Sequence, residues 1–209
     1  MDEALAARPS GDGAWVFAYG ALLWERPFRF DEERVGKVSG LARRYCFWDE
    51  SNRGTPRHKG LTLGLVPGET CSGGTIHLPD DGLREALWTV WQHEMSPGYY
   101  TARWTPVRTP EGDVMALTFL ADPAHALFAD SVTDTDAAGI LARAVGPGGP
   151  AAAYLLALVR WLREHGVPDP YLERLQAMVA ARLEAMEPLR RYRDTYPRSS
   201  GPQSSCVNF

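Results

Sequence analysis

The chain has 209 residues, 44% hydrophobic and 23% charged, a length and composition that suit one soluble domain with a sizeable core. With 22 Lys+Arg against 26 Asp+Glu the formal charge is −4, and no face carries a basic stripe, which excludes the electrostatic footprint of nucleic-acid binding. The longest uninterrupted apolar run, 151–159, spans nine residues, and a membrane-crossing helix needs about 20.

Residues 1–13 mix Pro, Ser and Gly without periodicity, so a disordered and dispensable extension is expected there. Its acidic start lacks the apolar segment of a secretory signal. Three cysteines (Cys46, Cys71, Cys206) without a Cys-x-x-Cys pair fit a reducing compartment, and the expected location is cytoplasmic. Trp15 to Gly20 reads as a buried strand stopped by glycine, and Val35 to Trp48 as a second strand bent at Gly40. Leu61–Val66 and Cys71–Leu78 read as a hairpin turned at Pro67-Gly68. Pro79-Asp80-Asp81 is placed to cap a helix reaching Met95. Arg103–Val107 and Val114–Ala121 form a further hairpin around 110–113. The second half is helical: Asp134 to Val145, a rigid break over Gly146–Pro150, Ala151 to His165 ended by Gly166, and Pro170 to Arg190. Strands first and helices later argue α+β, a small mixed, largely antiparallel sheet or barrel with covering helices and a C-terminal helical part. One domain over 14–194 with a flexible tail over 195–209 is the expected organisation.

Motifs for common cofactors are absent: no phosphate-binding glycine loop, no dinucleotide fingerprint and no nucleophile elbow. His93-Glu94 begins like a zinc-protease motif, but Pro97 occupies the position of the second histidine. No metal and no cofactor are expected.

The helix ending at Met95 carries the strongest chemical signal. At about 100° per residue, Leu83, Leu87, Val90 and Trp91 form one apolar stripe, and Glu94 falls in its middle. A carboxylate in an apolar face is held out of water, the environment that in general raises proton affinity and produces general bases. Tyr19-Gly20-Ala21-Leu22, just beyond the first strand, is a second candidate, because a glycine there lets consecutive backbone N–H groups converge on an anion.

From Trp15 to Trp24 the sequence resembles the strand and glycine loop of the ChaC-type γ-glutamylcyclotransferases. The resemblance continues through Arg43–Trp48, Arg53–Pro56, Gly60–Leu65, Glu94-Met95 with Gly98, Tyr100, Arg103 and Trp104, Gly146-Pro147 with Gly149-Pro150, and Tyr154–Leu156. It implies that glutathione is cleaved to 5-oxoproline and Cys-Gly, without a cofactor, by attack of the substrate's own amine on its γ-carbonyl. It places the acid/base on Glu94, and substrate binding on Tyr19, Gly20, Ala21, Leu22, Leu23, Arg53, Tyr100 and Tyr154. The chain departs from the family pattern at Ala21 (usually Ser), His93 (usually Arg), Ala151, Ala153, Arg57-His58-Lys59 and Phe128. Two alternatives share the resemblance: cyclisation of another γ-glutamyl amine, and a γ-glutamyl-ligand-binding relative without turnover.

Overall fold

The computed structural model describes residues 1–96 and 98–195, with side chains of 188–195 excepted. Five strands close a barrel: β1 (Ala14–Ala18), β2 (Glu32–Asp49), β3 (Gly60–Leu78), β4 (Tyr100–Thr109) and β5 (Gly112–Ala121). The order is β1-β3-β2-β4-β5, and β5 closes it by running parallel to β1 while every other pairing is antiparallel. β1 is buried almost throughout, as its unbroken apolar run requires: Val16, Phe17 and Ala18 are at most 1% exposed. The architecture is the expected α+β barrel with covering helices.

The expected hairpin at Pro67-Gly68 is not formed. Residues 60–78 are one continuous strand, and the chain reverses instead over 50–59. Ser39 pairs with Thr70 and Leu41 with Pro67, so two residues of β3 lie opposite Gly40 alone. That is a bulge, and Gly40 takes φ 77° to accommodate it. Proline and glycine serve a bulge as readily as a turn, because a bulge leaves an N–H unpaired. The bend expected at Gly40 is present.

Helix α2 (Leu83–Met95) starts after Gly82 and has no side-chain cap. Asp80 and Asp81, expected to cap it, pair instead with Arg8 at 2.8 Å and Arg29 at 2.5 Å. The later helix is shorter than expected, since α3 (Asp134–Leu141) stops before Val145, and β6 (Val145–Gly146) pairs with β7 (Gly149–Pro150) in a small hairpin. Helices α4 (Ala151–Glu164) and α5 (Pro170–Thr195) complete the chain. Leu155, Leu158 and Leu162 of α4 and Leu172 and Leu175 of α5 are buried, each worth roughly 1.5–3 kcal/mol of transfer free energy. The tail expected to be flexible lies, beyond Thr195, outside the described residues.

The N-terminal segment also departs from expectation. Asp2–Ala6 forms a short helix, α1. Met1, Ala4 and Leu5 pack against the core, and the Trp104 indole donates to Ala4 O at 3.0 Å. Three apolar contacts and one buried donor's partner suffice to dock it, although the segment has no periodicity to reveal that. Deleting residues 1–8 is therefore expected to cost on the order of 1–2 kcal/mol, lowering Tm by about 2–6 °C in thermal unfolding.

Beside this segment His77, 8% exposed, places Nδ1 2.7 Å from Asp31 Oδ1 and Nε2 3.1 Å from Asp12 O. Burial alone would lower its pKa, but the hydrogen bonds to Asp12 O and to the Asp31 carboxylate outweigh it and raise the pKa above 6.5. A raised folded pKa means that the stabilisation is complete below 6.5 and is lost as pH rises through the folded value. Tm is expected to fall over that window, and His77→Gln to flatten the dependence.

Candidate active site

The cavity is lined from six segments: 17–25, 49–53, 62–63, 93–94, 99–100 and Tyr154. α2 presents Glu94 on the face that carries Leu83, Leu87 and Val90, the phase its sequence dictates. The Glu94 side chain is 13% exposed, and its Oε1 lies 3.2 Å from His93 Nδ1. Opposite, β1 runs out into Tyr19-Gly20 and a 3₁₀ turn, Ala21–Leu23. That turn's hydrogen bonds begin with Leu23 N to Gly20 O at 3.0 Å, so the amides of Ala21 and Leu22 have no partner within it.

Arg43 sets the orientation of this loop. Its guanidinium is fully buried and donates to Tyr19 O (2.7 Å), Ser72 O (2.7 Å) and Asp169 Oδ2 (2.8 Å). In a trans peptide the carbonyl and the following N–H point in opposite directions. Fixing Tyr19 O on Arg43 therefore turns the Gly20 amide the other way.

Arg53 reaches the pocket because Asp49 folds the loop before it. Asp49 is 2% exposed; its Oδ1 accepts from the amides of Ser51 (3.0 Å) and Asn52 (2.8 Å), and its Oδ2 from Arg53 N (2.8 Å). The Arg53 guanidinium then lies over the Tyr154 ring at 5.2 Å and donates to Gly148 O. The break at 146–150 thus does more than separate helices: it packs on 52–54, so closely that a Cβ on Gly148 would overlap the Asn52 side chain. Arg53 Nε is buried with no hydrogen-bond partner among the described residues.

Three tyrosines floor the cavity. Burial, with the nearby Glu94 charge adding to it, pushes Tyr19, Tyr100 and Tyr154 above the usual phenol range, so all three remain neutral. Tyr100 donates to Leu63 O at 2.5 Å, and the Tyr19 hydroxyl is buried without a partner among the described residues. Together these groups enclose an open cavity of ≈ 120 Å³. It is lined by seven of the eight expected binding residues and by Glu94. The exception is Leu23, which is 1% exposed and packs in the core toward Gly74. Among the described residues no three His, Cys, Asp or Glu side chains are grouped as metal ligands.

The family profile of ChaC-like proteins matches residues 14–182. The chain belongs to the ChaC-like family. It is similar to the glutathione-specific gamma-glutamylcyclotransferase of Escherichia coli, 32% identical over 176 residues, or 84% of this chain and 76% of that one. The glutathione-specific gamma-glutamylcyclotransferase 1 of Mus musculus is 30% identical over 186 residues, covering 84% and 83%. Among solved structures, a gamma glutamyl cyclotransferase specific to glutathione from yeast has TM-score 0.74 at 19% identity, covering 82% of this chain and 97% of that one, a likeness in fold.

The departures from the ChaC pattern fall mostly outside the cavity. Ala153 is exposed on α4, Ala151 is buried at the start of α4, and Phe128 packs edge-on against Phe47 at 5.4 Å. Arg57, His58 and Lys59 are exposed on the 50–59 loop. Only Ala21 and His93 line the cavity, and Ala21 offers its amide whatever its side chain. Several cavity residues had no signal of their own in the sequence: Glu25, Asp49, Asn52, Thr62 and Tyr99. Asp49-Glu-Ser-Asn is the one stretch with a usable cue, since an aspartate ahead of such residues closes Asx turns.

Proposed function

We propose that this protein is a γ-glutamylcyclotransferase that cleaves glutathione to 5-oxoproline and Cys-Gly, with Glu94 as acid and base. One observation carries the reading: Glu94 and the Tyr19–Leu22 loop, whose Ala21 and Leu22 amides have no partner within its 3₁₀ turn, line the same cavity. The reaction needs little more. The substrate is folded so that its α-amine meets its own γ-carbonyl, and holding that conformer is worth several kcal/mol of barrier. Glu94 takes a proton from the ammonium as the N–C bond of the lactam forms. The amides of Gly20, Ala21 and Leu22 hold the glutamyl end of the substrate and take up negative charge as it develops on the carbonyl oxygen. The amide C–N bond to cysteine breaks as Glu94 returns that proton to the departing amine, and the second proton that the new lactam nitrogen sheds goes to the same amine, which leaves as an ammonium. Tyr19, Tyr100 and Tyr154, neutral throughout, act as hydrogen-bonding walls, and Arg53 supplies positive charge for a substrate carboxylate.

The buried free thiols Cys46 and Cys71 suit a reducing, cytoplasmic setting in which this substrate is available. Among the described residues no helix is long and apolar enough to cross a membrane. Purified protein incubated with glutathione is expected to release 5-oxoproline and Cys-Gly in equal amounts, followed by mass spectrometry. No product from glutathione, with the protein folded, would overturn the assignment.

A further inference from the structure

At the mouth of the cavity His93 faces two carboxylates from different segments. Its Nδ1 is 3.2 Å from Glu94 Oε1, and its Nε2 is 3.7 Å from Glu25 Oε2. Glu25, just past the 3₁₀ turn, is in turn 3.8 Å from Arg53 Nη2 and accepts from the Trp24 indole at 3.2 Å. His93 and Glu94 both stand in the last turn of α2. Glu94 Oε2 makes no hydrogen bond among the described residues.

We infer that His93 is a positioning residue for the base: bridging Glu94 Oε1 and Glu25 Oε2, it leaves Glu94 Oε2 as the oxygen that meets the substrate. This rests on the reading of Glu94 as the acid/base. An imidazolium hydrogen-bonds Glu94 through Nδ1–H and attracts Glu25 as an ion pair at 3.7 Å, whereas a neutral imidazole has one N–H and no charge and loses the pull on Glu25. The bridge therefore exists only while His93 is charged. The charged groups around it are Glu94 from α2 and Glu25 from the loop, with Arg53 one step behind Glu25. The hydrogen bond to Glu94 raises the His93 pKa above 6.5; burial opposes this, and the charges of Glu94 and Glu25 add to it. The helix C-terminus favours the cation as well. As pH rises through that value the bridge opens, Glu94 loses its fixed orientation, and turnover falls relative to an enzyme whose bridge cannot open.

The test measures kcat and KM for glutathione on the full chain from about pH 5.5 to 9, with Tm, for wild type, His93→Arg, His93→Gln and Glu94→Gln. Arginine keeps two donors and its charge at every pH. The ratio of wild-type to His93→Arg kcat cancels the ionisation of the substrate amine, and it is expected to fall about three- to tenfold with rising pH at similar KM. His93→Gln, with one neutral donor group, is expected to lose about tenfold in kcat at the acidic end of the range and to approach wild type at the alkaline end, with Tm and KM little changed. A pH-independent ratio, or His93→Gln equal to wild type at the acidic end, would overturn the inference. The two readings separate cleanly: an active Glu94→Gln removes the base assignment, whereas an inactive Glu94→Gln beside pH-flat His93 variants removes the positioning role alone.

Discussion

Glu94→Gln is expected to lower 5-oxoproline formation by about 10²–10⁴-fold, the range for loss of a general base, with Tm unchanged or slightly raised. Glutamine has nearly the same shape and still accepts a hydrogen bond, so it can sit 13% exposed beside His93 without a gap. It cannot accept a proton from the substrate ammonium at neutral pH. The variant should therefore still bind glutathione, detectable by isothermal titration, while releasing product slowly. Activity within a few-fold of wild type in a folded variant would reject Glu94 as the base. Failure to fold would assign the carboxylate a structural role instead.

Gly20→Val is expected to be nearly as damaging, with a fall of about 100-fold or more in kcat/KM, because misplacing the substrate by a single ångström costs that much. A Cβ at position 20 would lie 2.8 Å from the Tyr154 hydroxyl. Tyr154 has little room to yield, since its ring meets Trp24 at 5.3 Å and Arg53 at 5.2 Å. The branched side chain would either displace Tyr154 or tilt the Tyr19–Gly20 peptide that Arg43 anchors. Both move the amides that line the cavity. Ala21→Ser adds one hydroxyl to a cavity-lining position and leaves the backbone of the loop unchanged, and kcat/KM within about threefold of wild type is expected. Steady-state kinetics on the two variants separate steric obstruction of the loop from the chemistry of its side chains. Normal turnover by Gly20→Val would show that the loop does not hold the substrate.

Glu94 was legible in the sequence because helical phase is local: eleven residues beyond Leu83, an acid must return to the same face whatever surrounds it. The strand β1 and the bend at Gly40 could likewise be read from their own segments, the one from an unbroken apolar run and the other from a glycine inside a strand. Leu22 and Leu23 show where that reach ends. Both are buried apolar neighbours in one turn, and only the packing of the closed barrel decides that Leu22 also lines the cavity while Leu23 packs toward Gly74. Pro67-Gly68 is alike locally in a hairpin and in a bulge, and the strand opposite, 26 residues earlier at Leu41, makes the choice. Asp49 gains its role only because β2 ends where Arg53 can reach the Tyr154 ring, and α1 docks only because Trp104 offers a donor a hundred residues away. Local periodicity fixed the buried face of α2 and with it the phase of Glu94, since backbone geometry sets both. The tertiary structure decided which distant groups share the cavity, because that depends on strand pairing and barrel closure, whose energies are summed over the whole molecule.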